Sequence, residues 1–275
     1  MSGHIKIDLE SVLREKLGKK SRWIPRGIVR RLERLIHQDD MNTMLEKAYP
    51  RRGSKFCDAV LEHLDISLNV VGMENMPPKA HRKVIFCSNH PLGGLDGMSL
   101  IKFVAEYYET EPLFIINDLL MAIEPLRDVF VPVNKHGRQS REAIVAIDEA
   151  MSGDRPVIIF PAGLCSRRRG GEIKDLQWQK MFVQKALQWG RDIVPMRFIG
   201  KNSDNFYRWA RRRERMGLKF NAEMVLLPGE VFKSRGKSFT IAVAPPVRVG
   251  DLSKDTRAET QRIREIVDSM EKLNK

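Results

Sequence analysis

The sequence predicts an α/β fold with a mainly parallel central sheet and helices on both faces, preceded by an N-terminal helical region. Beyond residue 65, short apolar runs of strand length alternate with stretches of helical periodicity, the order of elements that builds a parallel sheet. Before residue 65, apolar residues recur at helical spacing. The 275 residues are enough for one large domain with a helical appendage. We therefore predict a basic amphipathic helical region over residues 1–65 and an α/β domain over 66–275.

Helical spacing predicts each element of the N-terminal region. Asp8 can cap a first helix that runs to about Leu17, and a link that contains Pro25 follows it. Further helices are predicted after this link, the last of them over Gly53–Leu64. The apolar residues that carry the spacing are Ile28, Leu32, Leu35 and Ile36, then Met44, Leu45 and Ala48, then Phe56, Val60, Leu61 and Leu64.

After residue 65 the apolar residues no longer recur at helical spacing alone, and this change in their spacing predicts the elements of the α/β domain. Alternating residues indicate a strand over 66–72, and a continuous apolar run indicates a buried strand over 83–88. Similar patterns predict further strands over 113–117, 129–133, 157–160, 193–198, 224–227 and 239–244. Helices are predicted over 96–108, 140–151, 178–189, 208–216 and 256–273, the last capped by Asp255 or Thr256.

The composition is that of a folded protein with an unusual charge. Apolar residues make up 42% and charged residues 30%, while the net charge is +13 and the pI is about 9.8. Such a charge attracts anionic partners: a membrane lipid surface, nucleic acid or an acidic carrier protein. The three cysteines are far apart, which argues against a disulfide framework and a zinc site and favours a reducing compartment.

Two basic clusters with aromatic and aliphatic neighbours are typical of interfacial membrane helices. A solvated surface and a nucleic-acid-binding surface are the alternatives, although no recognised nucleic-acid motif occurs. There is no signal-peptide core and no uncharged run of roughly 20 apolar residues. We therefore expect a cytoplasmic protein, peripheral on the inner face of the cell membrane. The first cluster is Arg14, Lys16, Lys19, Lys20, Arg22, Arg26, Arg30, Arg31 and Arg34 among Trp23, Ile24, Ile28 and Val29; the second is Arg208, Arg211, Arg212, Arg213 and Arg215 beside Tyr207 and Trp209.

The loop after the predicted buried strand at 83–88 contains residues that are typical of an acid/base site. His90 leaves the strand, the pair Gly93 and Gly94 makes a turn, and Asp96 stands where a helix begins. A histidine there can take a proton, and an aspartate can fix its tautomer and stabilise its cation. Each of these residues alone would be an ordinary core histidine, turn or helix cap, whereas their combination predicts a catalytic pair.

A second polar loop, at 160–171, follows another predicted strand and so belongs on the same rim of the sheet. Pro161 and Gly163 end the strand, and Ser166 with the following arginines could bind a phosphate or a carboxylate. A solvated basic loop is the alternative. Cys165 could act as a nucleophile, but nothing in the sequence pairs it with a base.

Four blocks in this order resemble the lysophosphatidic acid acyltransferase superfamily, whose members esterify glycerolipid hydroxyls from acyl thioesters. The resemblance covers about residues 83–200. Its blocks are Asn89-His90 with Asp96, Phe130 with Lys135, Phe160-Pro161-x-Gly163, and Val194-Pro195.

The chain departs from the family pattern at three places. Five residues separate His90 from Asp96, one more than is usual, and the glycine pair must absorb the extra residue. Ala162 stands in place of the family glutamate and Cys165 in place of an arginine associated with an acceptor phosphate. With Asp175 and Trp178, the pattern is more similar to a bacterial branch often labelled hemolysin-like, some members of which O-acylate lyso-aminolipids of the ornithine or glycine type.

The resemblance implies direct acyl transfer without a metal or cofactor. His90 would deprotonate the acceptor hydroxyl, Asp96 would orient His90, and backbone N–H groups near Gly93 and Gly94 would stabilise the oxyanion. The donor would be a thioester of acyl carrier protein or coenzyme A, and the acceptor a lyso-aminolipid. The alternatives are a 1-acylglycerol-3-phosphate acceptor and an inactive scaffold with this fold. The implied substrate-binding residues are Asn89, Gly93, Gly94, Lys135, Phe160, Pro161, Gly163, Ser166, Arg167 and Arg168.

Overall fold

The computed structural model describes residues 7–11, 14, 18, 24–133, 141–217 and 222–271. The helices in them are α1 Arg26–Leu35, α2 Gln38–Ala48, α3 Gly53–His63, α4 Leu95–Tyr108, α5 Arg141–Ser152, α6 Met181–Trp189, α7 Asp204–Arg215, α8 Leu227–Phe232 and α9 Thr256–Ser269. The strands are β1 Ser67–Val71, β2 Val84–Ser88, β3 Leu113–Asn117, β4 Phe130–Val133, β5 Val157–Ile159, β6 Arg167–Arg169, β7 Glu172–Lys174, β8 Asp192–Ile199 and β9 Ser238–Val243.

One sheet in the described part of the chain has the strand order β1-β9-β8-β2-β5-β3-β4. All its neighbours pair in parallel except β8 and β9, so the predicted mainly parallel sheet is confirmed. The central strand β2 is buried along its whole length between β8 and β5. Because β2 and β5 run in parallel, the loops that leave their carboxyl ends lie side by side, as the sequence predicted.

Helices cover both faces of this sheet, because alternate residues of each strand point to opposite sides. Val84 and Phe86 of β2 belong to a core cluster that includes residues of α3 and α4. Ile85 and Cys87 belong to a second cluster that includes residues of α5, α6 and α9. Each fully buried side chain of this size contributes about 1.5–3 kcal/mol. The two clusters hold β2, and therefore the loop that follows it, in a fixed position.

The N-terminal helices differ in how deeply they are buried. The predicted apolar stripe of α3, from Phe56 to Leu64, lies in the core cluster that it shares with the sheet, whereas α1 buries none of its residues. The boundary between regions at residue 65 stays a prediction. Asp8 accepts a hydrogen bond from the Ser11 N–H at 3.1 Å, as a helix cap does, but most of the predicted first helix lies outside the described residues. None of the described helices is long and apolar enough to cross a membrane.

The predicted strand at 224–227 is wrong. Residues 222–226 form a 3₁₀-helix, and α8 follows directly, with Pro228 in its first turn. A run of four apolar residues does not distinguish a strand from a buried helical turn. Here Met224, Leu226 and Leu227 pack against a small cluster of Cys165, Phe206 and Tyr207 instead of joining the sheet.

The loop at 160–171 contains structure that the sequence did not predict. Strands β6 and β7 form an antiparallel hairpin whose turn residues, Gly170 and Gly171, both have positive φ, at 58° and 90°. Two such residues suit a type I′ turn, which matches the twist of a hairpin. Pairing with β7 fixes the backbone of β6 and therefore the side of the hairpin from which each of its arginines projects.

Candidate active site

Asn89 forms hydrogen bonds that connect the start of the loop after β2 with the neighbouring strand β8. Its Nδ2 donates to the Phe198 carbonyl oxygen at 3.0 Å, and its Oδ1 accepts from the Phe198 N–H at 2.7 Å. The side chain is buried and continues the pairing between β2 and β8. Its assignment as a substrate-binding residue stays a prediction, while its amide is engaged with the protein backbone.

His90 and Asp96 form a hydrogen-bonded pair despite the extra residue between them. His90 Nδ1 lies 2.9 Å from Asp96 Oδ2, and the histidine side chain is 16% exposed while the aspartate is fully buried. The turn between them is made by Gly93, which has a φ of 84° that few other residues adopt. Because an ionised carboxylate only accepts hydrogen bonds, Nδ1 carries a proton and Nε2 is left to take one.

Backbone N–H groups hold Asp96 in place. Its Oδ2 also accepts from the Leu92 N–H at 2.8 Å and from the Gly93 N–H at 3.3 Å, and its Oδ1 accepts from the Gly97 N–H at 3.0 Å. The Gly93 N–H is therefore engaged with Asp96. Because the Gly97 N–H also binds Asp96, the predicted oxyanion donors are then Gly94 and the first two residues of α4, Leu95 and Asp96, whose N–H groups have no acceptor within the helix.

The imidazole plane of His90 is fixed by the second loop. Phe160 stacks on it with ring centroids 4.1 Å apart and an interplanar angle of 20°, and Phe114 packs edge-on against Phe160. Pro161 and Gly163 complete the turn that follows: the Pro161 carbonyl accepts from the Gln179 N–H, and the Gly163 N–H donates to the Phe160 carbonyl, both at 2.9 Å. Phe160 can stabilise the imidazolium through its ring face.

Asp175 joins the two loops. Its Oδ1 accepts from the His90 N–H at 3.2 Å and from Ser166 Oγ at 2.6 Å, and its Oδ2 accepts from Trp178 Nε1 at 3.0 Å. The Ser166 N–H in turn donates to the His90 carbonyl at 2.8 Å. The sequence connected Asp175 and Trp178 only with a branch pattern, and it did not predict that Asp175 contacts His90 or that Trp178 contacts Asp175.

Comparison with known proteins identifies the family of this site. The family model described as "Acyltransferase" matches residues 11–273. The chain belongs to this acyltransferase family. The resemblance to the glycerolipid acyltransferase superfamily is thereby confirmed, and the protein is an enzyme that transfers acyl groups.

Two curated relatives match nearly the whole acyltransferase. A lyso-glycine lipid O-acyltransferase of Phocaeicola vulgatus is 40% identical over 95% of this chain and 94% of its own. An enzyme of the same name from Bacteroides thetaiotaomicron is 38% identical over 95% of this chain and 96% of its own. The crystal structure of a 1-acyl-sn-glycerophosphate acyltransferase from Thermotoga maritima is a distant likeness, with a TM-score of 0.47 and 18% identity over 88% of this chain and 95% of that one.

The pKa values of His90 and Asp96 are shifted in opposite directions by their surroundings in the acyltransferase. Burial opposes the charged form of His90, but the neighbouring Asp96 and Cys165 outweigh it and raise the pKa of His90 well above its ordinary value. Burial would raise the pKa of Asp96, yet His90 and the N–H groups of Leu92 and Gly97 lower it. Asp96 is therefore ionised at neutral pH, and it stabilises a proton on His90.

Cys165 lies beside this pair. A Cβ placed on Gly93 would meet the Cys165 Sγ at 2.5 Å and Leu227 Cδ1 at 2.8 Å, so only glycine fits at position 93 without movement. The thiol is fully buried and influences the pKa of His90. The sequence had found no base near Cys165, because the loops that meet here are about 70 residues apart in the chain.

The predicted substrate-binding arginines of the acyltransferase have different surroundings. Arg167 is buried, and its Nη2 donates to Glu223 Oε1 at 2.7 Å. Arg168 is partly exposed: its guanidinium lies 4.9 Å from the Tyr207 ring centroid, and its Nη2 donates to Asp204 Oδ1 at 2.6 Å. Arg168 is therefore accessible to a ligand in solvent, whereas Arg167 is buried in the protein interior.

The remaining predicted substrate-binding residues have different positions in the structure. Ser166 is buried and donates to Asp175, and Gly94 has open space around it. Lys135 lies outside the described residues. Within the described residues, no group of three or more His, Cys, Asp or Glu side chains is arranged to hold a metal ion.

Proposed function

We propose that this enzyme transfers a fatty acyl group from an acyl thioester to the hydroxyl of a lyso-aminolipid of the glycine-lipid type. The observation that carries the proposal is the His90–Asp96 pair at 2.9 Å. It stands in a chain that is 38–40% identical to lyso-glycine lipid O-acyltransferases along almost their whole length. The pair supports deprotonation of a hydroxyl, and the relatives support the class of lipid that bears it.

The proposed reaction takes place in one direct transfer. His90 Nε2 removes the proton of the acceptor hydroxyl while that oxygen attacks the thioester carbonyl. The oxyanion that forms is stabilised by N–H groups at the start of α4, and Asp96 stabilises the imidazolium. As the tetrahedral intermediate collapses, the carbon–sulfur bond breaks and the imidazolium gives its proton to the leaving thiolate, which departs as a thiol. This route uses no metal and no cofactor, and its donor is a thioester of acyl carrier protein or coenzyme A.

We assign recognition of the lipid head group to Arg168. A glycine-type head group carries a carboxylate, which a guanidinium binds in a bidentate manner. Arg168 follows Cys165 and Ser166, which contact the His90 loop, and its partner Asp204 is an exposed residue that a ligand can replace. Arg168→Gln should raise the KM for the acceptor about tenfold or more, while the KM for the donor stays unchanged.

We further propose that the enzyme works as a peripheral protein at the inner face of the cell membrane. Helices α1 and α7 carry exposed arginines, and exposed apolar residues lie on them or directly after them: Ile28 on α1, Trp209 on α7 and Met216 just after α7, which are 51%, 48% and 62% exposed. Phe206 of α7 packs with Cys165, which lies at the Gly93 turn. This arrangement connects a lipid-binding helix with the rim that holds His90.

Binding to vesicles tests this surface. Replacing both Trp209 and Met216 with serine should weaken co-sedimentation with anionic vesicles most at high salt, where only buried apolar groups still contribute. The matched control replaces Ile144 and Val145 of α5, which are 46% and 48% exposed, with serine. Equal binding by both variants would contradict a role for α7.

Acyl transfer by the purified protein tests the reaction. The substrates are an acyl thioester and lyso-glycine lipid, with 1-acylglycerol-3-phosphate as the competing acceptor, and products are identified by mass spectrometry. We expect diacylated glycine lipid from the wild type and a loss of about 10²–10⁴-fold in His90→Ala. The matched control is His81→Ala, since His81 also pairs with an aspartate, Asp192, at 3.1 Å.

Two outcomes would contradict the proposal. Near-normal turnover by His90→Ala would exclude the mechanism. Preference for 1-acylglycerol-3-phosphate would exclude the proposed acceptor while leaving the mechanism intact. Comparing the coenzyme A thioester with the carrier-protein thioester in the same assay identifies the donor.

A further inference from the structure

Asp175 receives three hydrogen bonds at the point where the two loops of the site meet. The donors are the His90 backbone N–H, the Ser166 hydroxyl and the Trp178 indole N–H, at 3.2, 2.6 and 3.0 Å. Its own backbone is held as well, because Arg264 of α9 donates from Nη2 to the Asp175 carbonyl at 2.9 Å. The carboxylate is thus fixed from several directions.

The backbone of His90 is held on both sides by this second loop. Its N–H donates to Asp175, and its carbonyl accepts from the Ser166 N–H at 2.8 Å. Ser166 closes the arrangement by donating its hydroxyl to the same Oδ1 of Asp175. Asp96 holds the side chain of His90, whereas Asp175 and Ser166 hold its main chain.

We propose that Asp175 is a positioning residue for acyl transfer: it sets the position of His90 relative to the loop that carries Phe160 and Cys165. The catalytic nitrogen lies at the end of a side chain whose ring is also stacked on Phe160. A shift of the backbone would therefore move the base away from the hydroxyl. Displacements of about 1 Å in a catalytic group can cost about 10²-fold in rate.

The negative charge of Asp175 suits this task, because all three partners are donors and a carboxylate only accepts. Asparagine keeps one acceptor oxygen, which can still bind the His90 N–H and Ser166. Its amide group would then meet the Trp178 N–H, so that two donors face each other. Removing the indole N–H with Trp178→Phe relieves that conflict, which makes rescue of the asparagine variant a direct test of hydrogen-bond geometry.

Steady-state kinetics provide the first test. We expect Asp175→Ala to lower kcat about 10²-fold, with KM for donor and acceptor changed by less than about twofold. Asp175→Asn should lower kcat less, and Asp175→Asn with Trp178→Phe should recover part of that loss. Ser166→Ala, which removes one of the three donors, should give a smaller fall and keeps the test valid should Asp175→Ala fold poorly.

The matched control is Asp192→Asn at the opposite end of β8. Asp192 is also buried and accepts from a backbone N–H, that of Val249, at 2.8 Å, but it lies at the start of the strand. This variant should unfold at a lower temperature and keep the kcat of the folded fraction. Equal kcat in Asp175→Ala and Asp192→Asn, with both near wild type, would overturn the proposal.

A spectroscopic measurement separates this proposal from the proposed function on which it rests. The proton on His90 Nδ1, shared with Asp96, is observed by proton NMR and assigned by its disappearance in His90→Gln. Asp175→Ala should shift or broaden this signal without any substrate present, and Asp192→Asn should leave it unchanged. An unchanged signal in Asp175→Ala would overturn the positioning role even if the wild type proves to use another acceptor, since the signal does not depend on the acceptor.

Discussion

The two ends of strands β2 and β8 both carry buried charged residues, yet only one end is arranged for chemistry. At the amino ends, Arg191 is fully buried and donates five hydrogen bonds to backbone carbonyls. Next to it, Asp192 pairs with His81 at 3.1 Å and with Arg248 at 3.0 Å. At the carboxyl end of β2, His90 pairs with Asp96 at 2.9 Å.

A histidine–aspartate pair therefore occurs at both ends, and the surroundings distinguish them. His81 is 39% exposed, whereas His90 is 16% exposed and stacked on Phe160. Asp96 is held by three backbone N–H groups, and it in turn fixes the tautomer of His90. At the carboxyl end the loop fixes both members of the pair, and a fixed imidazole is what a general base requires.

Asp96→Asn should cause the largest change at the catalytic end. An amide cannot stabilise the imidazolium and favours the wrong tautomer, so kcat should fall about 10³–10⁴-fold. The measurement is acyl transfer at saturating substrates, with folding verified by circular dichroism. Activity within tenfold of wild type would mean that Asp96 serves only to hold the turn.

Arg191→Met should have the opposite result at the structural end. It leaves several buried carbonyl groups without a donor, which should lower the free energy of unfolding by about 3 kcal/mol or more. Because Arg191 lies far from the rim, kcat per folded molecule should be unchanged. Urea unfolding and kinetics on the same sample measure both quantities, and a loss of kcat without a loss of stability would contradict the division between the two ends.

Gly93→Ala should have an intermediate effect. The new methyl group would lie within 2.5 Å of Cys165 Sγ at a φ of 84°, and such overpacking costs about 1–3 kcal/mol. Combining it with Cys165→Ala removes the nearest obstacle. A double-mutant cycle on thermal stability should therefore show that the pair of changes costs less than their sum, and strict additivity would indicate that the thiol does not limit this turn.

The pH dependence of kcat/KM should show a smaller effect. His90 must be neutral to accept a proton, and its pKa is raised, so kcat/KM should fall as the pH drops through a value above that of an ordinary histidine. Asp96→Asn removes the carboxylate that raises this pKa, so the acid limb should move to lower pH. A limb that stays in place would show that another group controls it.

Most of the fold could be predicted because the buried parallel strands are short apolar runs bounded by turns. Strands β2, β3 and β4 begin and end within about one residue of their predicted limits. The predicted strand over Met224–Leu227 is wrong because these apolar residues pack against Cys165, Phe206 and Tyr207. The spacing of apolar residues within a short segment does not show which distant residues they will pack against. The hairpin of β6 and β7 was missed because its strands are three residues each and strongly charged.

The His90–Asp96 pair could be predicted because its residues are close in sequence and resemble a family block. The partners of the remaining candidates could not, since they lie far along the chain. Arg167 pairs with Glu223, 56 residues away, and this contact turns a predicted ligand into an interior residue. Cys165 and Asp175 lie beside the His90 loop because β2 and β5 are neighbours in the sheet, which the spacing of residues along the chain does not reveal.

The link between His90 and Asp175 also concerns the time course of folding. It joins residues 85 positions apart, and the link between Asn89 and Phe198 joins residues 109 positions apart. Contacts across such distances close slowly compared with helices, because the chain must lose more freedom before it gains the contact. A refolding sample should therefore recover its helical signal first and its catalytic rate later, and the delay between the two reports when the far segments of the chain arrive at the catalytic histidine.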